Sequence, residues 1–467
     1  MSKYVLRMLC IALTGYFIVA AGSAPGFAGE VDMMAEINAL KTKLGELDSL
    51  KLRVAELEKR LEVQGCAITT SSTTVREIKE SLISYKPGEG VTVPPCGIEI
   101  TADATFVLQG TPNANNALDT EASLTDAAWS SDIFIRKAFD DWGLALIHLE
   151  PGQGNGVENE LYLYSNVNRD QNDTDANVPV TELWYEHYLF NKQVALTAGK
   201  MDPANYIDQN EYAHDECTQF IGRIFKQNPA IEWPDDNTLG GRVILAPEFA
   251  PYLSLEATYF DADNNYEDIF DRVFASGQIN FKPSKLLKLD PERWDGNYRF
   301  YWWINSRDHS KLVRQDESAP DDTKNMNTGF GFSVDQMITD VFGGFARLGW
   351  QNPALALASS SSVNSAPSHV SWSSGLQMTG KYWHRSGDVA AFGIGQVFPK
   401  ENLKNINNGD GVAAEGHLEI YYKCQILKWL AITPDFQWIW NPRGISEEYQ
   451  GDNDTIFVYG VRGQLDF

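Results

Sequence analysis

Beyond residue 28 the chain has no uninterrupted apolar run approaching the 20 or so residues that a membrane-spanning helix needs. Mean hydropathy is −0.31. These absences exclude a helical membrane bundle. They leave open a β-barrel, whose strands divide a lipid face from a wet one by alternation, and a water-soluble β-sandwich fits the same averages. Histidine is scarce, 7 in 467 residues, so a histidine-rich metal centre is not indicated. His187 and His214 read as ordinary polar residues. Cysteine is equally sparse. Cys10 lies inside an N-terminal apolar run, and Cys66, Cys96, Cys217 and Cys424 are too widely spaced for a zinc pattern. Cys66 and Cys96 flank a short segment and suit a disulfide in an oxidising compartment; the alternative is four free thiols. A basic tract is missing too. Lys and Arg number 38 against 63 Asp and Glu, a net charge of −25, which excludes nucleic acid as a partner. No cofactor pattern emerges.

What is present starts at the N-terminus. Lys3 and Arg7 precede an apolar run over 8–21, and Gly26, Phe27 and Ala28 suit cleavage after Ala28. Residues 1–28 therefore read as a secretory signal peptide. Over 29–64 the apolar positions Ile37, Leu40, Leu44, Leu47, Leu50, Val54, Leu57 and Leu61 form a heptad seam with a stammer between Leu47 and Leu50. Glu46, Lys51, Glu56, Glu58 and Lys59 fill the other faces. A short coiled coil is preferred to a lone helix lying on a barrel, because an isolated helix this polar has little to stabilise it. Residues 65–96 read as a polar, Pro- and Gly-rich linker.

From Gly97 the period becomes two. The alternation predicts sixteen strands at 98–109, 132–139, 143–150, 181–189, 193–200, 238–246, 252–261 and 273–281, then 298–307, 327–337, 341–351, 370–382, 389–398, 416–426, 430–440 and 455–467. The apolar run 161–164 stays in a loop. Connections alternate between short and long, although 282–297 is longer than its short-side neighbours. Brief turns on one side and long loops on the other mark an outer-membrane barrel. The predicted fold is all-β: a 16-stranded antiparallel transmembrane β-barrel over 97–467, preceded by a short α-helical coiled coil. An even strand count places both termini, and with them the coiled coil, on the periplasmic side of a Gram-negative outer membrane. Parity assigns Tyr298, Phe300, Trp302 and Ile304 to lipid and Arg299, Tyr301, Trp303 and Asn305 to the lumen. On 430–440, Ile432, Pro434, Phe436 and Trp438 face outward; Pro434 is tolerable near a strand end or bulge. Phe467 then faces lipid at the periplasmic rim.

The longest connection, 201–237, opens within GKMDPANYIDQNEYAHDECTQFIG. Gly199, Lys200, Asp202, Pro203, Asp208, Asn210, Tyr212, Ala213, Asp215, Glu216, Gln219 and Phe220 resemble the third-loop pattern of the carbohydrate-selective porins of the OprB type. With the strand spacing and terminal Phe, the resemblance extends over 97–467. It implies a trimeric sixteen-stranded porin whose third loop folds into the channel, and passive diffusion of mono- and oligosaccharides through it.

The residues agree in kind. A sugar offers hydroxyl edges and flat apolar faces, which planar donors and aromatic surfaces meet. Arg242, Arg299, Arg347, Arg462, Glu182, Glu186, Trp184 and Trp303 are the candidate pore-lining solute contacts. Glu256, Glu419, Asp435, Tyr301 and Tyr421 also point inward. Asp202, Asp208, Asn210, Asp215, Glu216 and Arg223 are the candidate constriction-loop residues. The alternative for the wall is a structural ladder of opposed Arg and Glu. The loop carboxylates suit Ca²⁺ in donor type but match no EF-hand spacing, so hydrogen bonding within the loop is preferred and no metal site is expected. Four inward Arg also fit an anion or general diffusion porin. An enzyme is not expected. Glu182 and Glu186 lie roughly 13 Å apart along a strand, too far for a glycosidase pair, which needs about 5–9.5 Å. His417 has no serine partner legible from spacing, so a barrel-borne hydrolase is the weaker alternative. A soluble glycan-binding β-protein is opposed by the lipid-facing parity. Expected partners are carbohydrate solutes, outer-membrane lipid and two further copies in a homotrimer.

Overall fold

The structure is a computed structural model. It describes residues 41–46, 48–54, 84–93, 96–112, 114, 123–170, 174–234, 237–309, 325–355, 368–400, 413–444 and 455–467. The chain divides into two units, Met1–Ile78 and Lys79–Phe467. In the first, residues 41–46 and 48–54 are helical, and Leu44, Leu50 and Val54 of the expected seam are exposed. The other seam residues and the expected signal peptide lie outside the described residues.

In the second unit one antiparallel sheet closes on itself. Its strands are β1 (Ile98–Thr111), β2 (Leu124–Phe139), β3 (Gly143–Leu149), β4 (Val180–Leu189), β5 (Val194–Met201), β6 (Thr238–Leu245), β7 (Leu253–Asp261) and β8 (Val273–Phe281). They continue as β9 (Gly296–His309), β10 (Asn325–Met337), β11 (Phe342–Gln351), β12 (Ser368–Thr379), β13 (Val389–Pro399), β14 (Glu415–Leu427), β15 (Leu430–Trp440) and β16 (Thr455–Asp466). Each pairs with its sequence neighbours, and β16 closes on β1 from Tyr459↔Gly110 to Asp466↔Asp103. Three short strands decorate this cylinder: Gly152–Gln153 beside β2, and a hairpin of Ser84–Lys86 with Gly90–Val93. All sixteen expected strands are present.

Three local differences have physical reasons. β2 starts at Leu124 rather than 132, because Thr125 to Ser131 pair in register with β1 despite their polarity. β12 stops at Thr379, where Gly380–Trp383 turns into a 3-10 helix. The expected linker is partly a hairpin. Gly88 and Gly90 at φ 77° and 82° make its turn, and Val91 and Val93 pair with the start of β1. Pro434 sits within β15, not at its end. Its missing N–H has a visible effect: pairing with β14 lapses opposite it, between Tyr421↔Asp435 and Cys424↔Ile432.

The two faces separate as the alternation requires. Trp302, Phe332, Leu348, Trp438 and Tyr459 are exposed on the outside. Phe139, Trp142, Phe190, Trp294 and Tyr382 lie exposed near the short-turn rim, the position of an aromatic girdle. Phe467 is 51% exposed, and its N–H donates to Ala102 O at 2.8 Å, adding a last backbone bond across the seam.

The inner face is not simply wet. Apolar side chains of the long loops pack against it. Phe220, Ile224 and Phe225 lie with Phe345, Val397 and Tyr421; Tyr206, Ile207 and Ile231 lie with Phe260, Phe274 and Trp303. The run 161–164 is indeed loop, and it too turns inward: Leu161 and Tyr164 are buried.

Candidate functional site

The third loop, residues 202–237, leaves β5 at a tight start. Asp202 accepts the Ala204 N–H at 2.9 Å and caps the 3-10 turn Pro203–Asn205. A four-residue helix, Arg223–Lys226, follows further on. The loop carries many backbone N–H and C=O groups into the lumen, and each needs a partner there. The wall supplies them. Glu419 on β14 accepts the N–H groups of Ile221 and Gly222 at 2.7 and 2.9 Å. Arg347 on β11 donates to Asp208 Oδ1 at 3.2 Å, to Asp208 O at 2.9 Å and to Phe225 O. Asn210 donates to Val334 O at 3.0 Å, and Arg462 to Glu216 O at 2.7 Å. Glu232 accepts from His309, Asn327 and Arg307.

The inner wall is shaped for this contact. Inward positions on β10–β13 are small: Gly329, Gly331, Ser333, Gly343, Gly349, Ser371, Ser373, Gly393 and Gly395 are buried. A Cβ on Gly349 would meet the Asn228 side chain at 2.5 Å, and one on Gly393 would meet the Phe225 ring at 2.8 Å.

Charges on the loop respond to this burial. Burial, reinforced by the Lys226 and Arg347 cations, pushes His214 down to about 3, so it is neutral. Burial raises the Asp202 and Asp208 carboxyls. Burial would raise Glu232, but the hydrogen bonds from His309 and Asn327 bring it down to about 2.

The expected site residues therefore divide. Arg347 and Trp303, at 3% and 0% exposure, are covered by the third loop and offer no surface to a solute. Arg299 is taken up by Asp335. Arg462 faces inward but holds the loop backbone. Glu182 accepts the Asp202 N–H at 3.3 Å and the Trp184 Nε1–H at 3.1 Å. On the loop, Asp215 accepts the Cys217 and Thr218 N–H groups, Glu216 pairs with Lys226, and Arg223 is buried with its N–H on Asn166 O at 3.0 Å.

What remains together and reachable is on β4, β6 and β7. Arg242 donates to Glu186 at 3.2 Å and to Glu256, and its guanidinium lies 4.7 Å from the centre of the Tyr206 ring. These three charged side chains keep 10–15% of their surface. Trp184, next to Glu186's face of the wall, is half-buried. The pairing has an electrostatic consequence. Of the four inward arginines, Arg242, Arg299 and Arg347 each face a carboxylate, while Arg462 donates to the Glu216 carbonyl oxygen.

Sequence reasoning missed the anchors Glu232, Arg307, His309 and Glu415. Glu415 accepts the N–H groups of Tyr164 and Ser165 and seats the second loop, residues 150–179, inside the barrel. The signal that was available is the run of small inward residues on β10–β13, which marks where the loop would lie.

Comparison with known proteins follows the same lines. The family profile described as "Carbohydrate-selective porin, OprB family" matches residues 143–467. The structure of OprB from Pseudomonas putida at high pH superposes with a TM-score of 0.64 at 15% identity, covering 80% of this chain and 95% of that one. A triple mutant of the Rhodopseudomonas blastica porin gives a TM-score of 0.44 at 11% identity, over 79% of this chain and 100% of that one. No curated protein sequence matches.

Proposed function

The chain belongs to the OprB family of carbohydrate-selective porins, and on that premise we propose that a sugar passes the constriction against Trp184, Arg242, Glu186 and Glu256. The protein is an outer-membrane diffusion channel rather than an enzyme. The observation that carries the reading is the third loop folded inside a closed barrel, which leaves the wall of β4, β6 and β7 with both a partly open aromatic face and charged hydrogen-bonding groups. Trp184 supplies a flat apolar surface for a pyranose face. The Arg242 fork and the two carboxylates supply donors and acceptors for hydroxyl edges. The site is nearly charge-balanced, which suits a neutral solute. Weak, exchangeable contacts of this kind permit exit as well as entry.

The alternative anion pore has less support, because three of the four arginines that would form it are paired with carboxylates. Three further assignments belong to the proposal: a homotrimer, a coiled coil over 29–64 in the periplasm, and a signal peptide over 1–28. The porin family supports the first, and the heptad seam and exposed Leu44 and Leu50 support the second. The charged start and apolar run support the third.

The test is conductance and liposome swelling with the purified protein. Sugars should enter proteoliposomes and should reduce ion conductance in planar bilayers, while phosphate leaves conductance unchanged. Block by phosphate and not by sugar would overturn the reading.

A further inference from the structure

A second cluster lies on the lumen wall, joined to the proposed sugar site through His148, whose Nδ1 stands 3.5 Å from Glu182. Asp103 on β1, Asp132 on β2 and Cys217 on the third loop bring carboxylate and thiol atoms within 4.8 Å of one another. Asp170, on the second loop, places Oδ1 3.5 Å from the Cys217 sulfur. Asp132 is oriented from behind. Its Oδ1 meets His148 Nε2 at 2.6 Å, and its Oδ2 is left 4.0 Å from the thiol. His148 is held in turn by stacking on Phe134, ring centres 4.2 Å apart. A carboxylate ligand fixed by a hydrogen bond from outside the coordination sphere is a recurring feature of metal sites.

Two observations separate this cluster from an ordinary acidic patch. Asp170 is 5% exposed, yet its Oδ2 has no hydrogen-bond partner. Asp103 Oδ1 is likewise buried without one. A buried carboxylate oxygen with no donor is costly. A cation among these oxygens would satisfy them.

We propose that Asp103, Asp132, Asp170 and Cys217 form a divalent-cation site that ties the second and third loops to the β1–β2 wall. Carboxylate and thiolate are both donors that Zn²⁺ takes; Asp103, Asp132 and Cys217 converge, and Asp170 reaches the site from the sulfur side as the fourth. Ca²⁺ takes oxygen donors only and more of them, so the sulfur would contribute nothing. On binding, the Cys217 S–H and any protonated carboxyl among the ligands give their protons to solvent as sulfur and oxygen bond the cation. Because the ligands come from two loops and two strands, the bound ion would act as a cross-link that steadies the constriction.

The test uses the full chain in detergent, stripped with chelator and then dialysed against Zn²⁺ or Ca²⁺, with retained metal measured by mass spectrometry. About one Zn²⁺ per chain is expected, abolished in Asp132→Asn and Asp170→Asn. His148→Ala should weaken zinc affinity roughly 10–100-fold. Co²⁺ in place of Zn²⁺ should add a thiolate-to-metal absorption band that Cys217→Ser removes. Heat-modifiable gel migration verifies that each variant is folded. Failure of the wild-type protein to retain zinc overturns the proposal, as does undiminished retention in the folded Asp variants. Retention of Ca²⁺ in preference to Zn²⁺ overturns it too. Zinc retention is read with no sugar present, so its failure leaves the sugar reading standing.

Discussion

Arg347 shows how a single residue type serves two ends in a porin wall. Its position on an inward strand face is a matter of parity; its role comes from Asp208, which reaches it from a residue 139 positions earlier in the chain. The pair is almost fully buried, with side-chain exposures of 0% and 1%. Removing one partner strands the other, at a cost of about 3–5 kcal/mol. Arg347→Met is therefore expected to lower the denaturation midpoint of the barrel in urea and to raise single-channel conductance as the loop loosens. Unchanged values in both measurements would remove Arg347 from the anchor set. Arg242 and Trp184 should behave in the opposite way. Trp184→Ala is expected to weaken sugar block of conductance by about tenfold, the scale of one good aromatic or charge-assisted contact, with little change in the denaturation midpoint. Asp388 gives a pH prediction at the same scale. It lies in the turn after β12, where burial would raise its carboxyl, but bonds from Arg385, Tyr422 and the Gln425 N–H hold it down to about 2. A depressed carboxyl contributes stability above its unfolded value, 3.8, and loses it as pH falls through about 2. Asp388→Asn should be less stable than the parent at pH 6, and the difference should vanish as pH falls from 4 to 2; urea midpoints across that range decide it.

At the scale of elements, the strands were legible because a barrel strand needs one lipid face and one wet face, and a period of two records this in every segment. Strand β9 is the clearest case: Tyr298 and Trp302 are exposed while Arg299, Tyr301 and Trp303 are buried. The extent of β2 was not legible, because Thr125, Asp126 and Ser131 break the apolar alternation and are ordered by pairing with β1. The loops were not legible either. No local pattern in 202–237 states which wall it meets, since its backbone bonds go to strands far along the chain. The Gly and Ser residues on the inner face of β10–β13 hold that information. They make sense only once those strands are adjacent and face one loop. Gly349→Val is expected to displace Asn228 and the loop segment around it, destabilising the barrel by about 1–3 kcal/mol, the usual scale of overpacking. Conductance noise should rise with it. A variant with parental midpoint and quiet conductance would show that the loop does not rest on this glycine.

For the whole molecule, closure between β16 and β1 removes every exposed sheet edge from the barrel and satisfies the backbone where no water can. The expected coiled coil gives a prediction at this scale. Deleting residues 29–64 should leave sugar-dependent swelling per channel intact while shifting the oligomer toward monomer in gentle detergent, read by light scattering. A trimer unchanged by the deletion would place the subunit contacts in the barrel itself. The sequence alone determined the number of strands, their faces and the side on which short turns lie, because lipid and water act on each strand locally. Only the tertiary structure decided which inward residues meet a solute and which hold a loop. That distinction depends on what fills the lumen, and the filling comes from segments 139 to 250 residues away, as Arg347 with Asp208 and Glu415 with Ser165 illustrate.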